Sequence, residues 1–209
     1  MDVTEYPVEF WVEYPDRKLN RLTTFFRIFM AIPISIILIF LIGGSYGPSG
    51  IDHGLVVEIT TVGLIVIPTV FMLLFRRKYP KWWFDWNLAL TKFNYRVLVY
   101  LSLMTDIYPS TDEEQSVDIK IQYPDAQELN RWLPLVKWIM VLPHAFVLAF
   151  LGLAAFVVVI IAWFAILFTG RYPVDLFNFV AGVYRWELRV YAYAFILATD
   201  IYPPFSLSS

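Results

Sequence analysis

Tyr14-Pro15-Asp16 followed by Leu19-Asn20-Arg21 returns later in the chain as Tyr123-Pro124-Asp125 followed by Leu129-Asn130-Arg131. Each copy leads into an apolar stretch containing proline, then Lys or Arg with Tyr-Pro, an Arg-Val pair, and Thr-Asp-Ile-Tyr-Pro. A duplication of this kind fixes the architectural unit before any local reading, because one unit must account for both copies. The expected division is a first membrane repeat over 1–109, an acidic linker over 110–116 carrying Asp112, Glu113 and Glu114, and a second membrane repeat over 117–209.

The bilayer is the expected solvent. Of 209 residues 59% are hydrophobic and 16% charged, and the mean hydropathy is +0.61; an average soluble domain is less apolar and more charged. A net charge of -2 gives no bulk attraction for nucleic acid. The absence of cysteine removes disulfides, thiolate catalysis and cysteine metal sites. The acidic start, Met1-Asp2-Val3-Thr4-Glu5, lacks the basic region of a cleaved signal peptide.

Four spans are expected. The first runs from Ile28 to Ile42, preceded by Phe25 and Phe26, and the second from Ile59 to Phe75. Leu133 to Thr169 is apolar except at Lys137 and His144, which as continuous helix would measure about 55 Å, more than one crossing uses. A hairpin turning near Gly152 would divide it in two; the alternative is a single tilted helix with a long cytosolic extension. No Lys or Arg falls in Gly43 to Glu58 or around Gly152. The positive-inside rule therefore places both termini and the middle of the chain in the cytoplasm, with the two copies sharing one orientation.

Outside the spans, Val8, Phe10, Val12 and Tyr14 alternate with polar or aromatic neighbours, as do Val117, Ile119, Ile121 and Tyr123. This is strand periodicity, and two such strands could pair beneath the bilayer. Between Trp82 and Met104 a helical period puts Asp85, Lys92 and Arg96 on one stripe; between Val174 and Leu197 it does so for Asp175, Asn178, Arg185 and Arg189. With Trp82, Trp83, Trp86, Tyr184, Trp186, Tyr191 and Tyr193, these read as amphipathic interfacial helices anchored by aromatic rings. The fold class expected is a mainly α integral membrane protein, each repeat comprising a cytosolic β-strand, a transmembrane helical hairpin and an amphipathic interfacial helix.

Gly170-Arg171-Tyr172-Pro173, Phe177-Asn178-Phe179, Arg185-Trp186, Arg189-Val190 and Thr199-Asp200-Ile201-Tyr202-Pro203-Pro204-Phe205 together resemble the membrane family catalogued as domain of unknown function 4389. The first copy carries a weaker version in Lys78-Tyr79-Pro80, Lys92-Phe93, Arg96-Val97 and Thr105-Asp106-Ile107-Tyr108-Pro109. It departs at Lys92-Phe93 and at Ser110, so a site made by this signature would be asymmetric. The resemblance implies an integral protein of the bacterial cytoplasmic (inner) membrane, and supplies no activity, cofactor or catalytic residue.

Candidate chemistry is sparse. Arg96 and Arg189 are candidates for a lipid-headgroup site, or for structural pairing with Asp106 and Asp200; Arg185 belongs to the same group. His144 is an intramembrane polar group, which invites a proton-relay or ligand role. The first copy has Ile34 in its place, and a histidine beside Pro143 could bond a carbonyl freed by that proline. His53, Asp52 and Glu58 could offer metal ligands but lack a metal spacing, so no metal and no cofactor is expected. No Walker A loop, dinucleotide fingerprint or nucleophile elbow is present.

Three classes of function remain. A non-enzymatic accessory or scaffold protein, partner to other membrane subunits or to itself, accounts best for the lack of chemistry. A lipid- or small-hydrophobe-binding module would use the groove between the repeats. A small enzyme or proton-coupled carrier would require His144 and the repeated aspartates to converge.

Overall fold

The computed structural model describes residues 6–42, 66–111, 113 and 115–208. Two strands, β1 (Val8–Val12) and β2 (Val117–Ile121), pair antiparallel with Val8 opposite Ile121, Phe10 opposite Ile119 and Val12 opposite Val117. Val8 precedes Tyr14 by the same interval as Val117 precedes Tyr123, so the Phe10–Ile119 pair is the centre of a register that reads alike from either strand. Alternation buries Val8, Phe10, Val117, Ile119 and Ile121 on one face and leaves Glu9, Trp11 and Lys120 on the other. Each strand stops two residues before its expected end at Tyr14 or Tyr123.

The helices are α1 (Arg21–Phe25), α2 (Arg27–Ile42), α3 (Val66–Arg76), α4 (Lys81–Leu101), α5 (Leu133–Met140), α6 (Leu142–Thr169) and α7 (Val174–Tyr191). Asn20 caps α1, its side-chain oxygen accepting from the N–H of Leu22 at 2.9 Å. α6 ends at Gly170, whose φ of +77° carries the chain out of the helix while its N–H bonds Ile166 O at 2.7 Å.

The expected hairpin at Gly152 does not form. Gly152 lies inside α6, which runs 28 residues without interruption, and the break falls earlier, at Val141 between α5 and α6. One glycine costs a helix about 1 kcal/mol, which the surrounding apolar helix formers outweigh, whereas Pro143 is accommodated in the first turn, where its missing donor is not needed. Among the described residues α6 is the one helix long and apolar enough to cross a membrane; α2 and α3 are shorter. The start of the expected second span, at Ile59, and the Gly43 to Glu58 connection with His53 lie outside the described residues.

α4 and α7 form the centre. β1 packs on α7 and β2 on α4, while α6 lies along α7 and α2 along α4. Tyr184 of α7 meets Tyr95 edge-on at 6.3 Å and bonds the Ser102 hydroxyl. α7 carries a π-wound extension, Ala192–Ile196. The second copy has one residue more than the first between its Arg-Val pair and Thr-Asp, and the wider π turn takes it up, so that Leu103 and Leu197 both reach the left-handed region, φ +64° and +59°, just ahead of Thr-Asp.

Candidate functional site

The repeated Thr-Asp-Ile-Tyr-Pro segments sit at two buried junctions of closely similar construction. In the first, Arg27 is 2% exposed; its guanidinium donates to Thr105 O at 2.9 Å and pairs with Asp106 Oδ1 at 2.6 Å. In the second, Lys137 is fully buried; its ammonium donates to Thr199 O at 2.6 Å and pairs with Asp200 Oδ1 at 2.8 Å. The other carboxylate oxygen accepts from the N–H of Asn20 at 2.8 Å in one case and of Asn130 at 2.6 Å in the other. Each aspartate therefore ties the start of one helix to the chain leaving another. The cations lie over tyrosine rings, Arg27 over Tyr100 at 4.1 Å and Lys137 over Tyr193 at 4.6 Å, which adds a favourable contact for a desolvated charge.

These partners correct the expected pairing. Asp106 and Asp200 meet Arg27 and Lys137 instead of Arg96 and Arg189. The sequence held a signal for them: each cation stands the same distance after its Leu-Asn-Arg, within an otherwise apolar stretch. Burial lowers the Lys137 pKa, and the bond to Asp200 opposes that shift.

Arg96 and Arg189 satisfy carbonyls that follow the aspartates. Arg96 donates to Ser110 O at 2.6 Å, and Arg189 donates to Ser206 O at 3.4 Å and Ser208 O at 2.8 Å. Arg185 donates to Leu207 O at 2.9 Å and Phe10 O at 3.4 Å, while Lys92, in the corresponding place, pairs with Asp118 of β2 at 3.3 Å. The polar stripes of α4 and α7 thus hold strands and tail segments of the same chain. Trp186 and Tyr193 are buried, which removes them from the expected aromatic belt; Trp82 and Trp86 remain exposed.

His144 is fully buried. Its Nδ1 accepts from Trp186 Nε1 at 3.0 Å, and its ring stacks on Phe205 with centroids 3.8 Å apart. The acceptor role assigns the unprotonated nitrogen to Nδ1, and Nε2 has no partner among the described residues. A tryptophan, not a carbonyl freed by Pro143, is the histidine's partner. In the first copy Ile34 and Phe93 occupy the corresponding places and pack in one apolar cluster with Ala31, Val97 and Tyr100. The polar pair His144–Trp186 and the apolar pair Ile34–Phe93 are two solutions to one packing problem.

Reciprocal contacts join the halves. Tyr14 donates to Tyr172 O at 2.5 Å and packs edge-on against Phe177, whereas Tyr123 donates to Tyr79 O and packs edge-on against Phe84. Arg21 donates to Phe168 O at the end of α6, and Arg131 to Leu74 O at the end of α3. An open cleft of about 680 Å³ lies where 77–80 meet 123–127, lined by Arg77, Lys78 and Asp125 among others. Arg77 there adopts φ +48°, where the corresponding residue of the second copy is Gly170.

His144, the two aspartates and the arginines do not converge on one pocket: each is engaged in its own junction. No cluster of metal-ligating side chains occurs among the described residues. No curated protein and no solved structure matches the chain. Residues 132–206, which carry the Lys137–Asp200 junction and the His144–Trp186 pair, match the family model described as Domain of unknown function (DUF4389), and this region of the chain is similar to that family.

Proposed function

We propose that the protein is a non-enzymatic accessory or scaffold protein of the bacterial inner membrane, built from two tandem copies of one module and serving a larger membrane assembly. The observation that carries this reading is where the candidate charges go. Arg27, Lys137, Asp106, Asp200, Arg96, Arg185 and Arg189 all engage other parts of the same chain, mainly through main-chain carbonyls and buried ion pairs. Buried groups used in this way rigidify a fold. The matched contacts at the two junctions and the reciprocal Tyr14 and Tyr123 bonds support the tandem reading.

The test is gentle purification of the chain from its native membrane, with mass spectrometry of the proteins and lipids retained. A stoichiometric protein partner is expected; its absence from the purified material would overturn the accessory reading. The basic cleft at Arg77 and Lys78 favours a second reading, a module binding an anionic lipid between the two halves. A single enriched anionic lipid without a protein partner would put that reading first.

A further inference from the structure

Two arginines of α7 stand together with main-chain oxygens alone to hold their charge. Arg185 and Arg189 are about one helical turn apart, and both reach the same short segment. Arg185 donates to Leu207 O at 2.9 Å, and Arg189 to Ser208 O at 2.8 Å and Ser206 O at 3.4 Å. Neither pairs with a carboxylate among the described residues. Glu187 lies between them in sequence, but the helical period turns it to the opposite side of α7, where its electrostatic neighbours are Tyr95 and Tyr184. Arg189 is 4% exposed, and its Nε has no partner among the described residues. Burial lowers the pKa of both guanidinium groups, and the charge of Arg185 lowers that of Arg189 further.

The first copy treats the matching positions differently. Lys92 is balanced by Asp118 at 3.3 Å, which leaves Arg96 on the carbonyl of Ser110. A carbonyl offers a partial charge, whereas two adjacent guanidinium groups match both the oxygens and the formal charge of an oxyanion. Residues 205–208 therefore fill with neutral acceptors a place suited to a negative one. They are also lightly seated. Phe205 stacks on His144 yet is 53% exposed, Ser208 is exposed, and Leu207 is half-buried at the edge of the core. Leu207 lies against Gly182, where an added Cβ would come within 3.0 Å of both its Cβ and its carbonyl oxygen. Glycine at 182 is what lets the segment approach α7 so closely.

We propose that Arg185 and Arg189 form a site for a phosphate oxyanion, covered by residues 205–208 as a displaceable strap whose carbonyl oxygens occupy the places of phosphate oxygens. The phosphate belongs either to a lipid headgroup or to a soluble ion, since the recognition chemistry is the same. Binding exchanges the three carbonyl contacts for charge-assisted ones and frees the strap, which lifts Phe205 from the His144 ring. The site is separate from the cleft at Arg77 and Lys78, whose basic side chains are exposed and belong to other elements. Strap and anion compete, so the apparent dissociation constant is the intrinsic one divided by the fraction of chains in which the strap is open.

The test uses the full chain in a neutral detergent at constant ionic strength. A nitroxide at Ser208→Cys, which the cysteine-free sequence permits, reports strap mobility. Equilibrium dialysis against radiolabelled inorganic phosphate, and native mass spectrometry with phosphatidylglycerol, report binding to the unlabelled chain. Gly182→Ala crowds Leu207 and leaves both arginines in place. It should free the nitroxide and tighten binding about tenfold, the factor for a strap closed about nine-tenths of the time. Arg185→Gln with Arg189→Gln should abolish binding, whereas Arg77→Gln with Lys78→Gln should leave it unchanged. Arg185→Gln alone keeps the more buried Arg189, should weaken binding about tenfold, and covers the case in which the double variant does not fold. Binding of inorganic phosphate with this dependence on the two arginines supports the proposal with the ion alone as sufficient; binding of phosphatidylglycerol without phosphate, with the same dependence, supports it with a lipid as the source. A freed nitroxide with no gain in affinity overturns the proposal, as does a nitroxide that stays held in both Gly182→Ala and Gly182→Leu. Binding that survives the Arg185 and Arg189 substitutions, or failure of both ligands to bind Gly182→Ala, overturns it too.

Discussion

The Arg27–Asp106 and Lys137–Asp200 junctions share a bonding plan and differ in the chemistry of the cation. In both, a buried cation donates to a threonine carbonyl and pairs with an aspartate whose second oxygen holds an asparagine N–H. The plan requires a donor reaching two acceptors, which a guanidinium and an ammonium both supply. The difference is that arginine stays charged whatever its surroundings, whereas a buried lysine can surrender its proton. The flanking clusters diverge as well, apolar around Ile34 and Phe93, polar around His144 and Trp186. Two junctions can thus keep one bonding plan while the interior beside them takes different solutions.

The largest expected effect comes from breaking the arginine junction. Asp106→Ala leaves Arg27 buried without its carboxylate and should cost about 3–5 kcal/mol in equilibrium unfolding. Asp200→Ala should cost less, because Lys137 can neutralise. The two variants also differ in pH dependence. A lysine whose folded pKa lies below its ordinary 10.5 binds fewer protons folded than unfolded between those two values, so stability rises with pH across that window. Loss of Asp200 removes the bond that opposes the shift and extends the window downward. Unfolding of Asp200→Ala between pH 7 and 9.5 should therefore show a steeper upward trend than the wild type, and Asp106→Ala should not. Equal costs and equal slopes would erase the distinction between the junctions.

Next in size is the histidine pair. Trp186→Phe removes the one donor to His144 among the described residues and should cost about 1–3 kcal/mol. Adding His144→Ile reproduces the Ile34–Phe93 arrangement and should recover part of that loss; strictly additive effects in the double-mutant cycle would show that the two sites are not coupled. Smaller again is Arg77→Gly, which puts the residue of the second copy into a left-handed position and should raise unfolding stability by about 1 kcal/mol. Least is Gly152→Ala. Nothing lies within 4 Å of an added Cβ, so the continuous helix predicts a gain of about 0.5–1 kcal/mol; a loss would restore a turn at this position.

Local signals were legible where local physics decides. Alternation at Val8–Val12 and Val117–Ile121 located both strands, and the apolar-polar period located α4 and α7. The turn expected at Gly152 failed because a glycine weakens a helix without ending it when no other residue nearby favours a turn. The pairing of Arg96 and Arg189 with the aspartates, and the interfacial place given to Trp186, failed for another reason. A polar stripe with aromatic flanks reads the same whether it faces headgroups or carbonyls of its own chain, and the helical period does not say which.

By itself the sequence determined the recurring motifs, the two strand segments and an apolar content that demands burial in protein or lipid, since these follow from residue type and interval. Tertiary structure alone decided that Arg27 and Lys137 are the partners of the aspartates, that His144 is held by a tryptophan, and that β1 and α6 both pack on α7. Those outcomes depend on which distant surfaces meet, and contact between segments far apart in the chain is fixed by the packing of the whole.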